Sequence, residues 1–151
     1  MKLRRGTPLG LAVLVLVAAA CGSSGGAATG GSPTVISQAG GGTCAALAGL
    51  SGAVEDHGMV ALSGGSIEID AGDFFFDPTC VTASSSGTIT VTVTNTGNAL
   101  HNLTVADQGI DKDVQVGDSI TVKVKLPRSG SLPFLCKYHS ASGMQGAFVL
   151  G

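Results

Sequence analysis

The residues from Ser66 to the end predict an all-β domain, a sandwich or barrel of about seven strands. Three observations carry this. The apolar period there is two: "SIEID" alternates, "GTITVTVTN" sets valines and isoleucines against threonines, and "HNLTVAD", "SITVKVKL" and "GAFVL" follow suit. Turn signals, "NTGNA", "QGIDKD", "VGD" and "PRSG", separate the runs. No helical pattern of useful length interrupts them, so an antiparallel arrangement is expected. The 151 residues suit one domain, at roughly 100 to 200 residues per domain. With no Trp and one Tyr, the core must be aliphatic, joined by Phe74, Phe75, Phe76, Phe134 and Phe148.

Residues 1–20 stand apart from the fold. "MKLRR" is a basic opening, and an apolar run from Leu9 to Ala20 follows it and ends in small residues. That is the pattern of an export signal. A spanning helix needs about 20 apolar residues, so this shorter run is expected to be processed rather than kept as an anchor. "VAAAC" resembles the bacterial lipobox, although Ala18 stands where that pattern prefers Leu. The resemblance implies lipidation of Cys21 and anchoring to the outer side of the cytoplasmic membrane; the alternative is ordinary secretion with cleavage nearby. Loss of the signal takes Lys2, Arg4 and Arg5 with it and moves the formal charge from −2 to −5. The five basic residues left do not cluster, which argues against nucleic acid as a partner.

Residues 21–43, rich in Gly and Ser, cannot bury enough apolar surface to offset their ordering entropy and read as a tether. Residues 44–65 form an N-terminal extension to the β domain at 66–151. Leu47, Leu50 and Val54 fall at helical spacing, but Gly49 and Gly52 interrupt them, each at a cost of about 1 kcal/mol relative to Ala. A short helix and a loop both remain open.

Export permits disulfides. With Cys21 assigned to lipid, Cys136 lies beside a histidine, whereas Cys44 and Cys80 have no metal-ligand neighbour at close spacing. We pair Cys44 with Cys80; two free buried thiols are the alternative. Cys136 is then a free thiol in an oxidising compartment, exposed to oxidation unless something ties it up.

"LPFLCKYHSASGM" holds what could tie it up. Cys136, His139 and Met144 lie on one loop between two apolar strands. A thiolate, an imidazole and a thioether are soft to borderline donors and favour copper over oxygen-seeking ions. Zinc would call for a second thiolate or a carboxylate. An electron-transfer copper site also needs a second histidine. His101, at the mouth of the strand "HNLTV", is a better candidate than His57, which lies upstream of the sheet.

"LHNLTV", followed thirty-five residues after its histidine by "CKYHSASGM", resembles the blue-copper cupredoxins of the plastocyanin and pseudoazurin type over about Ser66 to Gly151. The resemblance implies a Greek-key β-sandwich with one type 1 copper ion. Its equatorial ligands would be His101, Cys136 and His139, and its long axial ligand Met144. It also implies that Asn102 bridges the ligand-bearing loops by hydrogen bonding. The "NLT" sequon at Asn102 is discounted, since the asparagine sits beside a ligand and the lipobox implies a bacterium.

The expected function is one-electron transfer outside the cytoplasmic membrane by a monomeric carrier, not an enzyme, that meets redox proteins transiently. Extracytoplasmic copper carriage or sequestration is the alternative, with "DHGM" (His57, Met59) as a helper patch; the plainer reading of "DHGM" is a polar loop with one buried methionine. An oxidase or nitrite reductase would need further histidines, and only His57 remains. Two departures from the family matter. Leu135 stands where plant plastocyanins carry an aromatic, a place Tyr138 cannot be assumed to fill, and there is no contiguous acidic patch. A photosynthetic partner is therefore not implied. Asp111 and Asp113 read as a solvated turn with no assigned function.

Overall fold

The structure is a computed structural model that describes residues 43–151. The expected signal, Cys21 and the tether up to residue 42 lie outside them. Ten strands are present among the described residues: β1 (Met59–Ala61), β2 (Ser66–Gly72), β3 (Phe75–Asp77), β4 (Cys80–Ala83), β5 (Gly87–Asn95), β6 (His101–Val105), β7 (Ile110–Val114), β8 (Ser119–Leu126), β9 (Gly130–Leu135) and β10 (Gln145–Leu150). They form two sheets, a six-stranded one in the order β1-β4-β10-β9-β6-β7 and a four-stranded one in the order β3-β2-β5-β8. The all-β sandwich expected from the alternation is thus present.

Alternation decides which side of each strand is buried. On β5, Ile89, Val91 and Val93 point inward while the intervening threonines stay partly exposed. The inward rows of both sheets meet in one cluster that contains Ile69, Leu103, Val105, Val124, Phe134 and Phe148. Phe134 lies 5.2 Å from Phe76 and 5.1 Å from Phe148, centroid to centroid. Such pairs contribute about 1 kcal/mol each beyond their area burial.

Three expectations are corrected. The sandwich is not purely antiparallel, because β5 pairs with β2, and β4 with both β1 and β10, in parallel. Parallel neighbours require chain crossovers, which strand patterns alone do not disclose. "QGIDKD" is not all turn: Gly109, at φ 62°, makes the turn and Ile110–Val114 continues as edge strand β7. Its charges are what a sheet edge carries to deter further pairing. Of Phe74, Phe75 and Phe76, only Phe76 enters the core, while Phe74 is 38% exposed.

The segment before β2 packs on the six-stranded sheet. The single α-helix among the described residues, α1 (Cys44–Ala48), is five residues long. The Thr43 hydroxyl accepts from the Ala46 N–H at its start, and Gly49, left-handed at φ 64°, ends it. Of the two open readings the short helix is the one present, and Leu47 on it is exposed. Cys44 is disulfide-bonded to Cys80 on β4, as the pairing by elimination expected. The bridge sits in a small cluster with Ala48 and Ala147. The Ser131 hydroxyl donates to the Ala48 carbonyl at 2.7 Å and fastens α1 to β9.

Candidate metal centre

His101, Cys136, His139 and Met144 reach one end of the sandwich from two directions. His101 opens β6, while the other three lie on the connection from β9 to β10. This connection is closed by its own backbone. The Cys136 N–H donates to the Met144 carbonyl at 3.0 Å, the His139 N–H to the Cys136 carbonyl at 3.1 Å, and the Met144 N–H to the His139 carbonyl at 3.3 Å. Gly143 holds φ 92°, and a Cβ there would lie 3.0 Å from the Glu55 nitrogen. Glycine is thus required both by backbone conformation and by the segment that passes over the loop. That segment donates the Glu55 N–H to the Gly143 carbonyl and accepts the Gln145 amide at Ser51 and Ala53.

One potential ligand atom from each of His101, Cys136 and His139 lies within 4.8 Å of the others. The Cys136 Sγ is 3.5 Å from the His139 Nδ1, and the two imidazole centroids are 5.2 Å apart. His101, Cys136 and Met144 are fully buried, whereas His139 is half-buried. Met144 lies in the same apolar cluster as Cys136. The Phe74 ring lies 4.2 Å from that of His139 and covers one side of it.

Among the described residues, the His101 Nδ1 is the single buried side-chain nitrogen or oxygen without a hydrogen-bond partner. A buried acceptor left bare costs about 1 to 3 kcal/mol unless something occupies it. Burial, the largest influence, pushes the His101 pKa below the ordinary imidazole value. Contact with Asp73 pulls it back up, and His139 adds to the lowering. Burial thus favours the neutral ring, the form in which an imidazole binds a metal.

Two features of the site were not anticipated. Asp73, between β2 and β3, places its Oδ1 2.9 Å from the His101 Nε2. Its pKa is lowered to about 2, chiefly by the Asn98 backbone N–H, against an opposing effect of burial and with help from the Asn98 amide, His101 and the Ala99 N–H. The second feature corrects the reading of Asp111 and Asp113 as a solvated turn. On β7 they face one way and bind the Asn102 amide at 2.7 and 3.0 Å. Lys137 lies 2.7 and 3.2 Å from the same carboxylates, and the Tyr138 hydroxyl donates to Asp113 at 2.9 Å. The Asn102 carbonyl in turn accepts from Thr104 at 2.5 Å and, more weakly, from the Lys137 N–H at 3.5 Å. Asn102 thus ties the His101 strand to the residue after Cys136. The alternation of Asp111 and Asp113 was the available signal, obscured by the turn-like letters around it.

His57 and Met59 do not join the three-donor cluster. His57 stacks on Phe75 with centroids 3.7 Å apart, and Met59 on β1 is exposed rather than buried.

The family model of the cupredoxin-like domain matches residues 44–150, which takes in the segment before β2. No curated protein matches. Among solved structures, the dithionite-reduced auracyanin of the photosynthetic bacterium Roseiflexus castenholzii is 26% identical, with 60% of this chain and 99% of that chain covered and a TM-score of 0.51. The metal-binding domain of the Cu(I)-exporting P-type ATPase of Streptococcus pneumoniae D39, solved with Cu(I), is 15% identical, with 63% and 97% covered and a TM-score of 0.53. At that identity the likeness is one of fold.

Proposed function

The chain belongs to the cupredoxin-like family, and from that premise we propose that it is a type 1 blue copper protein that carries single electrons. The observation that supports this most is the buried, unpartnered His101 Nδ1 within the same donor cluster as Cys136 and His139. Two imidazoles, a thiol and a nearby thioether are the donor set of such a site, so the residues present fit copper. His101, Cys136 and His139 would hold the ion strongly and Met144 weakly. When bound, copper supplies the Cu(II)/Cu(I) couple and an intense thiolate absorption.

The chain's own part is to keep these donors in place through both oxidation states. The β9–β10 connection is braced by backbone hydrogen bonds and by the Glu55 segment, so little reorganisation accompanies a change of charge. Burial of Cys136 and Met144 keeps water from the sulfur donors. Cys136 would hold the ion as a thiolate, giving up its proton on binding. His139 is the donor nearest the surface, with Phe74 against it and Tyr138 beside it, both partly exposed. That edge is where a transient redox partner would dock and electrons would pass. A filled donor set leaves no open position for a substrate, which supports a carrier over a catalyst.

We place the protein outside the cytoplasmic membrane on a Cys21 lipid anchor, a reading supported by the signal-like N-terminus and by the Cys44–Cys80 disulfide. No helix among the described residues is long and apolar enough to cross a membrane.

The test is the visible and electron-paramagnetic spectrum after addition of Cu(II), for the protein and for Cys136→Ser. We expect an intense blue band with narrow copper hyperfine splitting, lost in the variant. Colourless, weakly held copper in the unaltered protein would reject the electron-transfer reading in favour of carriage.

A further inference from the structure

The structure assigns Asp73 as the residue that sets the proton position and electron-donating strength of His101. This inference rests on the copper reading above. It starts from four contacts that immobilise the carboxylate. Oδ1 faces the His101 Nε2 at 2.9 Å and accepts from the Ala99 N–H at 3.2 Å. Oδ2 accepts from the backbone N–H and side-chain amide of Asn98 at 2.7 and 3.2 Å. The turn that carries Asn98 and Ala99 thus grips Asp73 and presents one oxygen to the ring that follows in sequence.

Gly97 makes this approach possible. A Cβ there would lie 2.3 Å from the Asp73 Oδ1 and 2.9 Å from the His101 Nε2, so any side chain would enter the contact itself. The glycine is needed for closeness, not for a positive φ. A loose surface ion pair would need no such clearance.

An ionised carboxylate only accepts hydrogen bonds, so the proton of neutral His101 must sit on Nε2. Nδ1 is then a bare lone pair, and it is the atom that the fold buries without a partner. The tautomer needed for ligation is therefore selected before any metal arrives. A carboxylate behind a ligand histidine also raises its basicity. The added negative charge favours the more highly charged ion, so Asp73 stabilises Cu(II) relative to Cu(I) and lowers the reduction potential. His139 has no such partner among the hydrogen bonds of the described residues, and its Nδ1 faces the Cys136 Sγ. The two histidines are thus made unequal by the chain.

Two measurements decide this. The first uses nitrogen-15 imidazole spectra of the metal-free protein. We expect His101 as a single Nε2–H tautomer, and a tautomer mixture once Asp73→Leu removes the acceptor. A mixture or an Nδ1–H form in the unaltered protein overturns the inference, whatever copper does. The second compares Cu(II) and Cu(I) affinities of the protein and Asp73→Asn, which keeps an acceptor oxygen and loses the charge. We expect the Cu(II)/Cu(I) affinity ratio to fall about tenfold or more, in the range of second-layer effects on metal sites. For one electron a tenfold change corresponds to a rise of about 59 mV. A ratio unchanged within twofold overturns the tuning role, because a residue that only ties two loops would leave it unmoved. If Asp73→Asn does not fold, Gly97→Ala reads the same contact by displacing Oδ1. Failure of the unaltered protein to bind copper would reject the copper reading and the tuning role with it, while the metal-free spectra still decide the tautomer.

Discussion

His57 tests how far a metal-like motif can be trusted at the scale of one residue. Its ring lies flat on Phe75, interplanar angle 8°, and its backbone N–H donates to the buried Thr79 hydroxyl at 2.7 Å. Those contacts give it a structural role beside the sheet, outside the cluster of three donors. We expect His57→Ala to leave copper stoichiometry and affinity unchanged in titration against a competing chelator; a lost equivalent or a tenfold weaker affinity would return "DHGM" to the copper pathway. The converse holds for the donors that do meet. Cys136 and His139 were legible because they share one short loop, and His101 because it opens an alternating strand. Asp73 was not legible. It precedes three phenylalanines that read as core, and it lies 28 residues before His101. Only the path of the chain around Gly97 brings them together.

At the scale of an element, the N-terminal segment shows what a cysteine count can and cannot disclose. Elimination paired Cys44 with Cys80, but not the packing of α1 on β9 and β10 or the parallel pairing of β1 with β4. Such contacts depend on crossovers, and no local period encodes them. The disulfide closes a separation of 36 residues. Loop-closure entropy for that length corresponds to about 4 kcal/mol. Replacing both cysteines by alanine should therefore lower stability by about 4 kcal/mol, because the contacts of α1 with β9 and β10 keep it docked while the unfolded chain gains freedom. Urea unfolding of the metal-free protein measures this. A loss under about 1 kcal/mol would mean that α1 leaves the sheet once the bridge is gone, so that the folded chain regains the freedom the bridge had removed.

At the scale of the whole molecule, all ten acidic residues and five of the eight basic ones lie within 43–151, so the described domain is acidic. The charges are nonetheless organised locally, and the network on β7 is the clearest case. Lys137 first, then Asn102, holds Asp111 below the ordinary carboxylate range; Asn102 first, then Tyr138 and Lys137, does the same for Asp113. Asp111 in turn is the main reason that the Lys137 pKa is raised, and Asp113 the main reason for the rise at Tyr138. The signs follow from linkage. Carboxylates with lowered folded values contribute stability that is present above their unfolded pKa, about 3.9, and is lost as pH falls through the folded values. Lys137 and Tyr138, with raised values, contribute stability that is present below their unfolded pKa values, about 10, and is lost as pH climbs through the folded ones. The network is therefore intact across the whole neutral range and loosens at both extremes. All these groups meet solvent, so the effect is modest and screened by salt. We expect the melting temperature of the metal-free Asp111→Asn, Asp113→Asn double variant to lie below that of the unaltered protein at pH 7. The gap should close as pH falls below about 4, because protonation then removes the same charges from the unaltered protein. Asp73, kept in both proteins, cancels from the comparison. A gap that stays constant from pH 7 to pH 2 would show that the two carboxylates act as hydrogen-bonding shapes for Asn102 and not as charges.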